Sequence, residues 1–170
     1  MQDFVHLHVH TQYSLLDGQA SVSRLVDKAM KDGMKGIAVT DHGNMFGIKE
    51  FTNYVNKKNS GPKGEIKDLK KRIAGIESGE IECEDKEAEI ADCRAKMAEA
   101  ESKLFKPIVG CEMYVARRTM DKKEGKPDQS GYHLIVLAKN EKGYHNLIKL
   151  VSQAWTRGYY MRPRTDRSEL

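Results

Sequence analysis

Short apolar runs that end in polar residues constrain the fold of this chain more than any other feature. The run Gly36-Ile37-Ala38-Val39 leads directly into Thr40-Asp41-His42-Gly43. This is the pattern of a strand in a parallel sheet that is buried on both faces. Strands that alternate with amphipathic helices predict an α/β fold. The further predicted strands cover 105–115 and 133–138, and the predicted helices cover 20–33, 45–56 and 140–154.

Three histidines lie two residues apart in the segment Phe4-Val5-His6-Leu7-His8-Val9-His10-Thr11. We expect a strand over 4–9, with His6, His8 and His10 on one face and the apolar residues on the other. Neutral imidazole is the commonest metal ligand in proteins, and two histidines on one strand face can hold a single ion. The alternative is a solvated strand face that happens to use histidine. Further candidate ligands downstream favour the metal, with His6 the weakest candidate, as a core histidine or one that orients a ligand.

The end of the 36–41 strand carries the next candidates. In α/β folds the functional groups collect where strands end, at their carboxyl edge. Because adjacent strand residues face opposite ways, we expect His42 to be a ligand and Asp41 to orient a ligand or shape the turn. Asp17 closes the loop 11–18. It could open a turn with Gly18 or return to the histidines as an oxygen ligand, and its spacing favours neither.

Glu112 stands inside the otherwise uncharged run Ile108-Val109-Gly110-Cys111-Glu112-Met113-Tyr114-Val115. A carboxylate in a buried strand is costly unless it is paired or binds a metal, which makes Glu112 the best carboxylate candidate in the chain. Cys111 is predicted to be a small core residue. His133, at the start of the next strand, is ambiguous alone but fits a cluster shared with the other candidates.

These candidates form a mixed set of nitrogen and oxygen donors: His8, His10, Asp17, His42, Glu112 and His133. The set is too large for one tetrahedral zinc ion. A cluster of two or three zinc, manganese or iron ions fits it better. Such clusters produce hydroxide near neutral pH and hold the attacking and leaving oxygens during phosphoester hydrolysis.

The composition changes at Asn59-Ser60-Gly61-Pro62, and from 58 to 104 the apolar residues recur at alternating steps of three and four. This periodicity predicts an antiparallel coiled-coil hairpin with its turn at 77–80. Its first arm is basic, whereas the turn and the start of its second arm are acidic. The hairpin could bind a partner, but we favour a solvated insertion between the two parts of the main domain, 1–57 and 105–170.

Two later segments are rich in charge. The segment 117–131 is predicted to be a mobile charged loop. The segment 155–164 mixes aromatic and basic residues, and it could contact a phosphate backbone or pack as an aromatic tail. Asp166 and Glu169 resemble a capping box without a helix after it, which favours a chain truncated before its next helix.

Length and composition limit the remaining possibilities. With 170 residues the chain has the length of about one domain, and its net charge of +4 permits contact with nucleic acid without requiring it. Three cysteines without metal-type spacing, and the lack of a signal-peptide pattern, favour a reducing cytoplasm. No apolar run approaches the roughly 20 residues that span a bilayer, so no membrane contact is expected.

The motifs His8-Val9-His10-Thr11, Thr40-Asp41-His42-Gly43, the 107–115 strand with Glu112, and Tyr132-His133-Leu134 resemble the successive metal motifs of the PHP (polymerase and histidinol phosphatase) superfamily. Three stretches resemble a particular branch of it, the N-terminal domains of bacterial DNA polymerase III alpha subunits. These stretches are Thr11–Gly18, Thr40–Gly47 and Arg162-Pro163-Arg164. The resemblance covers everything except the hairpin.

The resemblance implies a distorted (β/α)7 barrel with a divalent metal cluster at the carboxyl ends of its strands. It also implies a role in DNA replication, with DNA and the other parts of the replicase as partners. PHP domains of this branch range from metal-dependent 3′–5′ exonucleases, suited to proofreading, to structural modules without activity. A free-standing phosphoesterase of the histidinol phosphatase type is a weaker alternative.

The resemblance also indicates what the chain lacks. The family pattern includes a later histidine and an Asp-x-His pair, and the polymerase carboxylates of a DNA-directed DNA polymerase lie far beyond residue 170. We therefore expect an incomplete metal site, and no polymerase (nucleotidyltransferase) activity from this chain alone. Half a barrel would also leave bare sheet edges, which predicts self-association.

Overall fold

The computed structural model describes residues 4–129 and 131–170. Six helices and four strands occur in these ranges. In chain order they are α1 (Val22–Lys31), β1 (Gly36–Val39), α2 (Ile48–Lys58), α3 (Ser60–Ser78), α4 (Lys86–Ser102), β2 (Lys106–Ala116), α5 (Gly125–Gln129), β3 (Gly131–Leu137), α6 (Glu141–Thr156) and β4 (Arg164–Thr165). None of the helices among these residues is long and apolar enough to cross a membrane.

The strand β2 organises the sheet. On one side it pairs with β3 in antiparallel register, Glu112 opposite Ile135 and Tyr114 opposite His133. Its other side is shared by two neighbours in turn. A parallel bridge joins His42, just beyond β1, to Glu112, and β4 then pairs in parallel with Tyr114 and Val115. The site described below lies where the neighbour of β2 changes from β1 to β4.

The sheet is mixed among the described residues: the β1 segment and β4 run parallel to β2, as predicted for the strand 36–41, whereas β3 runs antiparallel to β2. The connection between the two strands contains only the five-residue helix α5, which is about 7.5 Å long. The eleven-residue β2 extends about 36 Å. So short a helix cannot carry the chain back along the sheet, and the chain returns as an antiparallel neighbour.

The predicted strand over 4–9 is also wrong. The backbone oxygens of His6 and Val9 accept hydrogen bonds from the amides of Ala38 and Thr40, both at 2.9 Å. The two acceptors, His6 and Val9, are three residues apart in sequence, whereas the two donors, Ala38 and Thr40, are two residues apart. In a regular ladder both spacings would be two residues. The extra residue is absorbed in a bend at positions 7 and 8. This bulge breaks the alternation of faces on which the grouping of His6 with His8 and His10 depended.

The core beneath the sheet follows from the alternation of β2. Its odd-numbered residues Cys111 and Met113 are fully buried against α6, whose Leu147 and Ala154 lie in the same apolar cluster. The helix α6 begins at an N-cap, where the side chain of Asn140 accepts a hydrogen bond from the Gly143 amide at 2.9 Å. The even-numbered residues of β2 therefore point to the opposite face, where the candidate ligands lie.

The chain divides into two compact units, one containing residues 4–54 and 107–170 and the other residues 55–106. In the second unit α3 and α4 pack side by side. Arg72 binds Glu89 at 2.6 Å near one end, and Asn59 exchanges two hydrogen bonds with the backbone of Phe105 at the other. The connection between the helices covers 79–85, later than the predicted turn. Coiled-coil packing and the boundaries of an insertion stay predictions.

The segment 117–131 is not the mobile loop that its composition predicts. It contains α5, and the side chain of Asp128 is only 1% exposed. Arg118 binds that carboxylate with two nitrogens, and Arg164 donates to the Asp128 backbone oxygen at 2.8 Å. Buried charge pairs of this kind fix a segment that looks polar and unstructured in sequence. Ser130 lies outside the described residues.

Candidate metal centre

The strand β2 places the carboxylate of Glu112 at the centre of a ring of imidazoles. Glu112 is 2% exposed. Its Oε2 atom lies 3.1 Å from His8 Nε2, 2.9 Å from His10 Nε2 and 3.0 Å from His42 Nδ1. Its other oxygen contacts His133 Nδ1. Four segments that are far apart in sequence therefore converge on a single buried carboxylate.

The hydrogen bonds behind His10 fix which of its ring nitrogens carries the proton. The carboxylate of Asp41 accepts from the Ser14 hydroxyl at 2.7 Å, and this uses the only hydrogen of that hydroxyl. Ser14 Oγ must then accept from His10 Nδ1, which lies 2.9 Å away. A neutral His10 consequently presents an unprotonated Nε2 atom to Glu112. This is the tautomer in which Nε2 can bind a metal ion. Protein metal sites usually fix it in the same way, by a hydrogen bond from the other ring nitrogen.

The buried carboxylate of Asp41 connects Ser14 to the start of the same loop. It is 1% exposed and also accepts hydrogen bonds from the backbone amide and the hydroxyl of Thr11, at 2.6 and 2.8 Å. The Ser14 hydroxyl additionally accepts from the backbone amide of His42 at 3.2 Å. The loop 11–14 is thereby fastened to the end of β1, and both His10 and His42 are positioned by it.

Asp17 returns to the histidines from the same loop. Its Oδ2 atom lies 2.5 Å from His42 Nε2. The hydrogen bond from His42 lowers the pKa of Asp17, and its side chain remains largely exposed. On the other side of the ring, His42 Nδ1 is buried and has no hydrogen-bond partner among the described residues, although Glu112 is close.

The donor set fits divalent metal ions. Both His10 Nε2, in the tautomer fixed by Ser14, and Glu112 Oε2 are acceptors, yet they lie 2.9 Å apart. His8 Nε2 and His10 Nε2 are equally close at 2.9 Å. Two neighbouring ligand atoms of an ion with bonds of about 2.0–2.2 Å lie roughly 3 Å apart. A cation bound between these atoms would therefore remove the repulsion between their lone pairs and explain their short distances. Three overlapping groups meet the distance requirement: His8 with His10 and Glu112, His10 with Asp17 and His42, and His42 with Glu112 and His133.

The electrostatics of the site favour ligands that are ready to bind a cation. Burial raises the pKa of Glu112, but the hydrogen bond from His8 and the neighbouring imidazoles His42, His133 and His10 outweigh it, and the pKa falls below the ordinary value. The pKa of His10 is also lowered, first by burial and then by the charge of His42. An ionised carboxylate beside a neutral imidazole is the form that coordinates metal.

A family comparison agrees with this donor set. Residues 6–170 match the model of the PHP domain family. The chain belongs to the PHP domain family. PHP domains are typically metal-dependent, and this one contains a histidine and glutamate group that could hold a metal ion.

Several relatives of this PHP domain are DNA polymerase III alpha subunits. It is 39% identical to the DNA polymerase III subunit alpha of Borreliella burgdorferi over 168 residues, which is 98% of this chain and 11% of the relative. It is 39% identical to the subunit of the same name from Treponema pallidum over 164 residues, 96% of this chain and 10% of the relative. The Aquifex aeolicus subunit is 33% identical over 171 residues. The chain thus spans about a tenth of the length of these relatives.

The structure of the PHP domain brings all six predicted ligand residues to one place and excludes His6. His6 lines a separate cavity together with Val9 and Ile37, because the bulge at positions 7 and 8 turns it away from His8. Asp41, predicted to orient a ligand or shape a turn, contacts Thr11 and Ser14, and it reaches His10 through Ser14.

Sequence reasoning missed two residues around the centre of the PHP domain, Ser14 and Tyr114, and it did not connect the basic segment containing Arg162 with the centre. Ser14 orients His10, and its only sequence signal is a hydroxyl four residues after a histidine. Tyr114 is on the same face of β2 as Glu112, and its ring lies 6.1 Å from that of His42 and 5.0 Å from that of His133. Arg162 donates to the Tyr114 hydroxyl at 2.6 Å. Tyr114 could have been found from the alternation of β2.

Proposed function

We propose that this centre binds a cluster of divalent zinc, manganese or iron ions. The ligands would be the six residues that meet there: His8, His10, Asp17, His42, Glu112 and His133. The observation that carries the proposal is the 2.9 Å approach of two acceptors, His10 Nε2 and Glu112 Oε2. A close pair of acceptors is unfavourable without a cation or proton between them.

The chemistry we propose is hydrolysis of the terminal phosphodiester at the 3′ end of DNA. When bound, such ions would lower the pKa of water to near 7 and would stabilise the charge on the attacking and leaving oxygens. The chain contributes the orientation of the ligands: Ser14 and Asp41 fix His10, and the bridge between His42 and Glu112 fixes the distance between β1 and β2.

The relatives support a role in DNA replication. We propose that the chain is the PHP domain of a DNA polymerase III alpha subunit, that it works with DNA and the remaining replicase in the cytoplasm, and that its centre acts as a 3′–5′ exonuclease within the complete domain. The polymerase reaction itself would belong to other parts of the subunit. The identity of 39% to two such subunits supports the assignment.

A purely structural metal site is the second candidate. His8 and Glu112, which are 104 residues apart in sequence, meet at this centre together with Asp17, His42 and His133. Ions bound among them would crosslink these segments and stabilise the sheet by mass action without any catalysis. Such a brace predicts a higher Tm with metal and no cleavage of DNA.

Metal content tests the centre itself. The purified chain should contain near-stoichiometric zinc, manganese or iron by elemental analysis, and the double variant His8→Ala, His10→Ala should lose it. His145→Ala is the matched control, since His145 lies on the surface of α6, where its nearest carboxylate, Glu141, is 3.9 Å away. Retention of the metal in the double variant, or equal loss in the control, would refute the proposed ligands.

Cleavage separates the two functions. A 5′-labelled single-stranded oligonucleotide should be shortened from its 3′ end by the full-length subunit in the presence of Mn²⁺, and Glu112→Gln should abolish this. The polymerase activity of the subunit should persist in the variant. Metal binding that raises the Tm without shortening the oligonucleotide from its 3′ end would support the structural metal site and exclude the exonuclease.

The free edge of β3 supports self-association as a further proposal for this chain. Among the described residues β3 ends the sheet, and Tyr132 and Leu134 on it are 58% and 41% exposed. An uncovered edge with apolar side chains is a site for pairing between chains. Light scattering should show a mass that rises with concentration, whereas a clean monomer at high concentration would contradict the proposal.

A further inference from the structure

An open groove borders the metal centre on the side of α6. It has a volume of about 220 Å³ and is lined mainly by aromatic side chains. We call it the aromatic groove; its defining residues are Phe46, Trp155, Tyr159, Met161 and Arg162. His42 and Tyr114 form its wall toward the metal centre, so the groove and the centre share the His42 ring.

The aromatic rings of the groove are arranged as a surface for stacking. Trp155 and Tyr159 are nearly parallel, with an angle of 19° between their planes and 5.6 Å between their centroids. Phe46 lies 6.3 Å from Trp155 on the other side. All three remain accessible, with 65%, 41% and 48% of Phe46, Trp155 and Tyr159 exposed. Large aromatic residues rarely stay exposed together without a partner.

The position of these rings is fixed relative to the metal centre. Trp155 Nε1 donates to the backbone oxygen of Gly43 at 2.8 Å. Gly43 directly follows His42 and has a positive φ of 59°. A Cβ atom there would lie 2.6 Å from the Pro163 ring, so this close approach requires glycine. The groove and the ligand His42 are thus held by adjacent residues of one turn.

Arg162 gives the groove a positive charge beside the centre. Its guanidinium lies over the Tyr114 ring at 4.9 Å and donates to the Tyr114 hydroxyl. The guanidinium is therefore held at the wall between the groove and His42. A cation in this position complements the phosphate that joins a terminal nucleotide to the rest of a strand.

We propose that the aromatic groove binds the unpaired base of the 3′-terminal nucleotide while its phosphodiester lies at the metal centre. The proposal rests on the proposed function for the phosphodiester and adds the site that holds the base. Stacked aromatic residues next to a guanidinium are the surface that proteins use for single-stranded bases, and stacking tolerates every base. Because a base in a duplex must first be unpaired and unstacked, we expect single-stranded ends to bind in preference to blunt duplex ends.

Trp155 is the single tryptophan of the chain and reports directly on the groove. We would titrate the chain with deoxyadenosine 5′-monophosphate and with 2-deoxyribose 5-phosphate, which differ by the base alone. The nucleotide should quench the emission of Trp155 with saturation, and the sugar phosphate should not. The titration is run with chelator and with Mn²⁺, and also on the His8→Ala, His10→Ala variant.

Variants of Tyr159 test the stacking. Tyr159→Ala should weaken nucleotide binding by about tenfold, the size expected for loss of one stacked ring. Tyr159→Phe keeps the ring and should bind as the natural chain does. Tyr144→Ala is the matched control, because Tyr144 is another tyrosine beside a second aromatic ring, that of His145, and it lies outside both the groove and the metal centre. Its affinity should not change.

The outcomes separate this proposal from the proposed function. Equal quenching by both probes would show anion binding without base recognition and overturn the groove, as would unchanged affinity in Tyr159→Ala. A Trp155 emission that shifts with protein concentration alone would assign the groove to a second copy of the chain and also overturn it. Base-selective quenching that persists without metal or without the two histidines supports the groove even where the metal and cleavage experiments fail.

Discussion

Glu112 and Arg164 are both buried charged residues on neighbouring strands, and their surroundings are opposite in kind. Arg164 is fully buried, and its guanidinium donates to the backbone oxygens of Gly158, Asp128, Met120 and Lys122. Each of these donors has an acceptor. Burial lowers the pKa of Arg164, but a guanidinium remains charged in proteins.

Glu112 has more close neighbours than a carboxylate can use. Its Oε2 atom lies within 3.1 Å of three imidazole nitrogens, of which one presents a lone pair and another has no hydrogen bond among the described residues. The comparison shows how to separate a structural charge from a binding site. A buried charge whose partners are all satisfied holds the fold together, whereas a surplus of acceptors around a buried carboxylate indicates a cation.

The largest effect should come from the satisfied charge. Arg164→Met leaves three buried carbonyl groups, those of Gly158, Asp128 and Met120, without their donor, and we expect the free energy of unfolding to fall by about 3–5 kcal/mol. Urea denaturation measures this, with or without metal. Arg157→Met is the control, since Arg157 binds Asp121 and Glu169 at the surface and its loss should change the free energy of unfolding far less. Equal losses of unfolding free energy in the two variants would contradict the proposed difference between the buried and the exposed arginine.

The second effect should appear in binding rather than in folding. Glu112→Gln keeps the size of the side chain but removes the charge, and we expect metal affinity to fall by more than about 100-fold. The free energy of unfolding of the metal-free chain should change by less than about 1 kcal/mol, because the amide of glutamine can donate a hydrogen bond to the unprotonated His10 Nε2. Calorimetric titration and urea denaturation give the two values. Unfolding of the metal-free variant as severe as that of Arg164→Met would place Glu112 among the structural charges.

A smaller effect is expected from the residue that orients His10. Ser14→Ala removes the acceptor for His10 Nδ1, and the ring can then adopt the other tautomer, which we expect to weaken metal binding by about 10–100-fold. Nitrogen NMR of the metal-free chain should show the change of tautomer directly. Ser21→Ala is a suitable control, because the Ser21 hydroxyl contacts Ser23 and not the centre. An unchanged tautomer in Ser14→Ala would show that Ser14 does not determine which nitrogen of His10 carries the proton.

The smallest effect concerns Arg157 and Asp121, the exposed rim of the group that Arg118, Arg157 and Arg164 form with their acceptors and that we call the arginine cluster. The hydrogen bond from Arg157 lowers the pKa of Asp121 below its ordinary 3.8. A lowered pKa in the folded state contributes stability above the ordinary pKa, and this contribution disappears as the pH falls through the lowered value. Asp121→Asn should therefore reduce Tm slightly at neutral pH and not at very low pH. Thermal melts across the acid range check this, and high salt should shrink the difference.

The meeting of the candidate ligands could be anticipated because strand ends and strand alternation are local signals, whereas their binding of metal stays a prediction. Glu112 stood out as a charge inside an apolar run, and His42 and His133 lie at positions where strands end or begin. The structure places them within one group with His8 and His10. The location of His6 could not be anticipated, because a one-residue bulge leaves no trace in a pattern of alternating histidines.

The arginine cluster could not be anticipated because its partners are distant and have no period. Arg164 meets Asp128 across 36 residues and Met120 across 44. The two-residue strand β4 is too short to show any alternation. The antiparallel direction of β3 depends on the length of α5 and on a buried aspartate, which composition alone presents as a polar loop.

The paired hydrogen bonds of Asn59 have a consequence for how this domain can change in evolution. The Asn59 side chain donates to the Phe105 oxygen at 2.8 Å and accepts from its amide at 2.9 Å, as a neighbouring backbone would. The chain between these residues is therefore closed at its base. Since the entropy of closing a loop grows only with the logarithm of its length, each doubling costs about 0.6 kcal/mol. Lineages can lengthen, trim or replace the two helices at their far end at little thermodynamic cost.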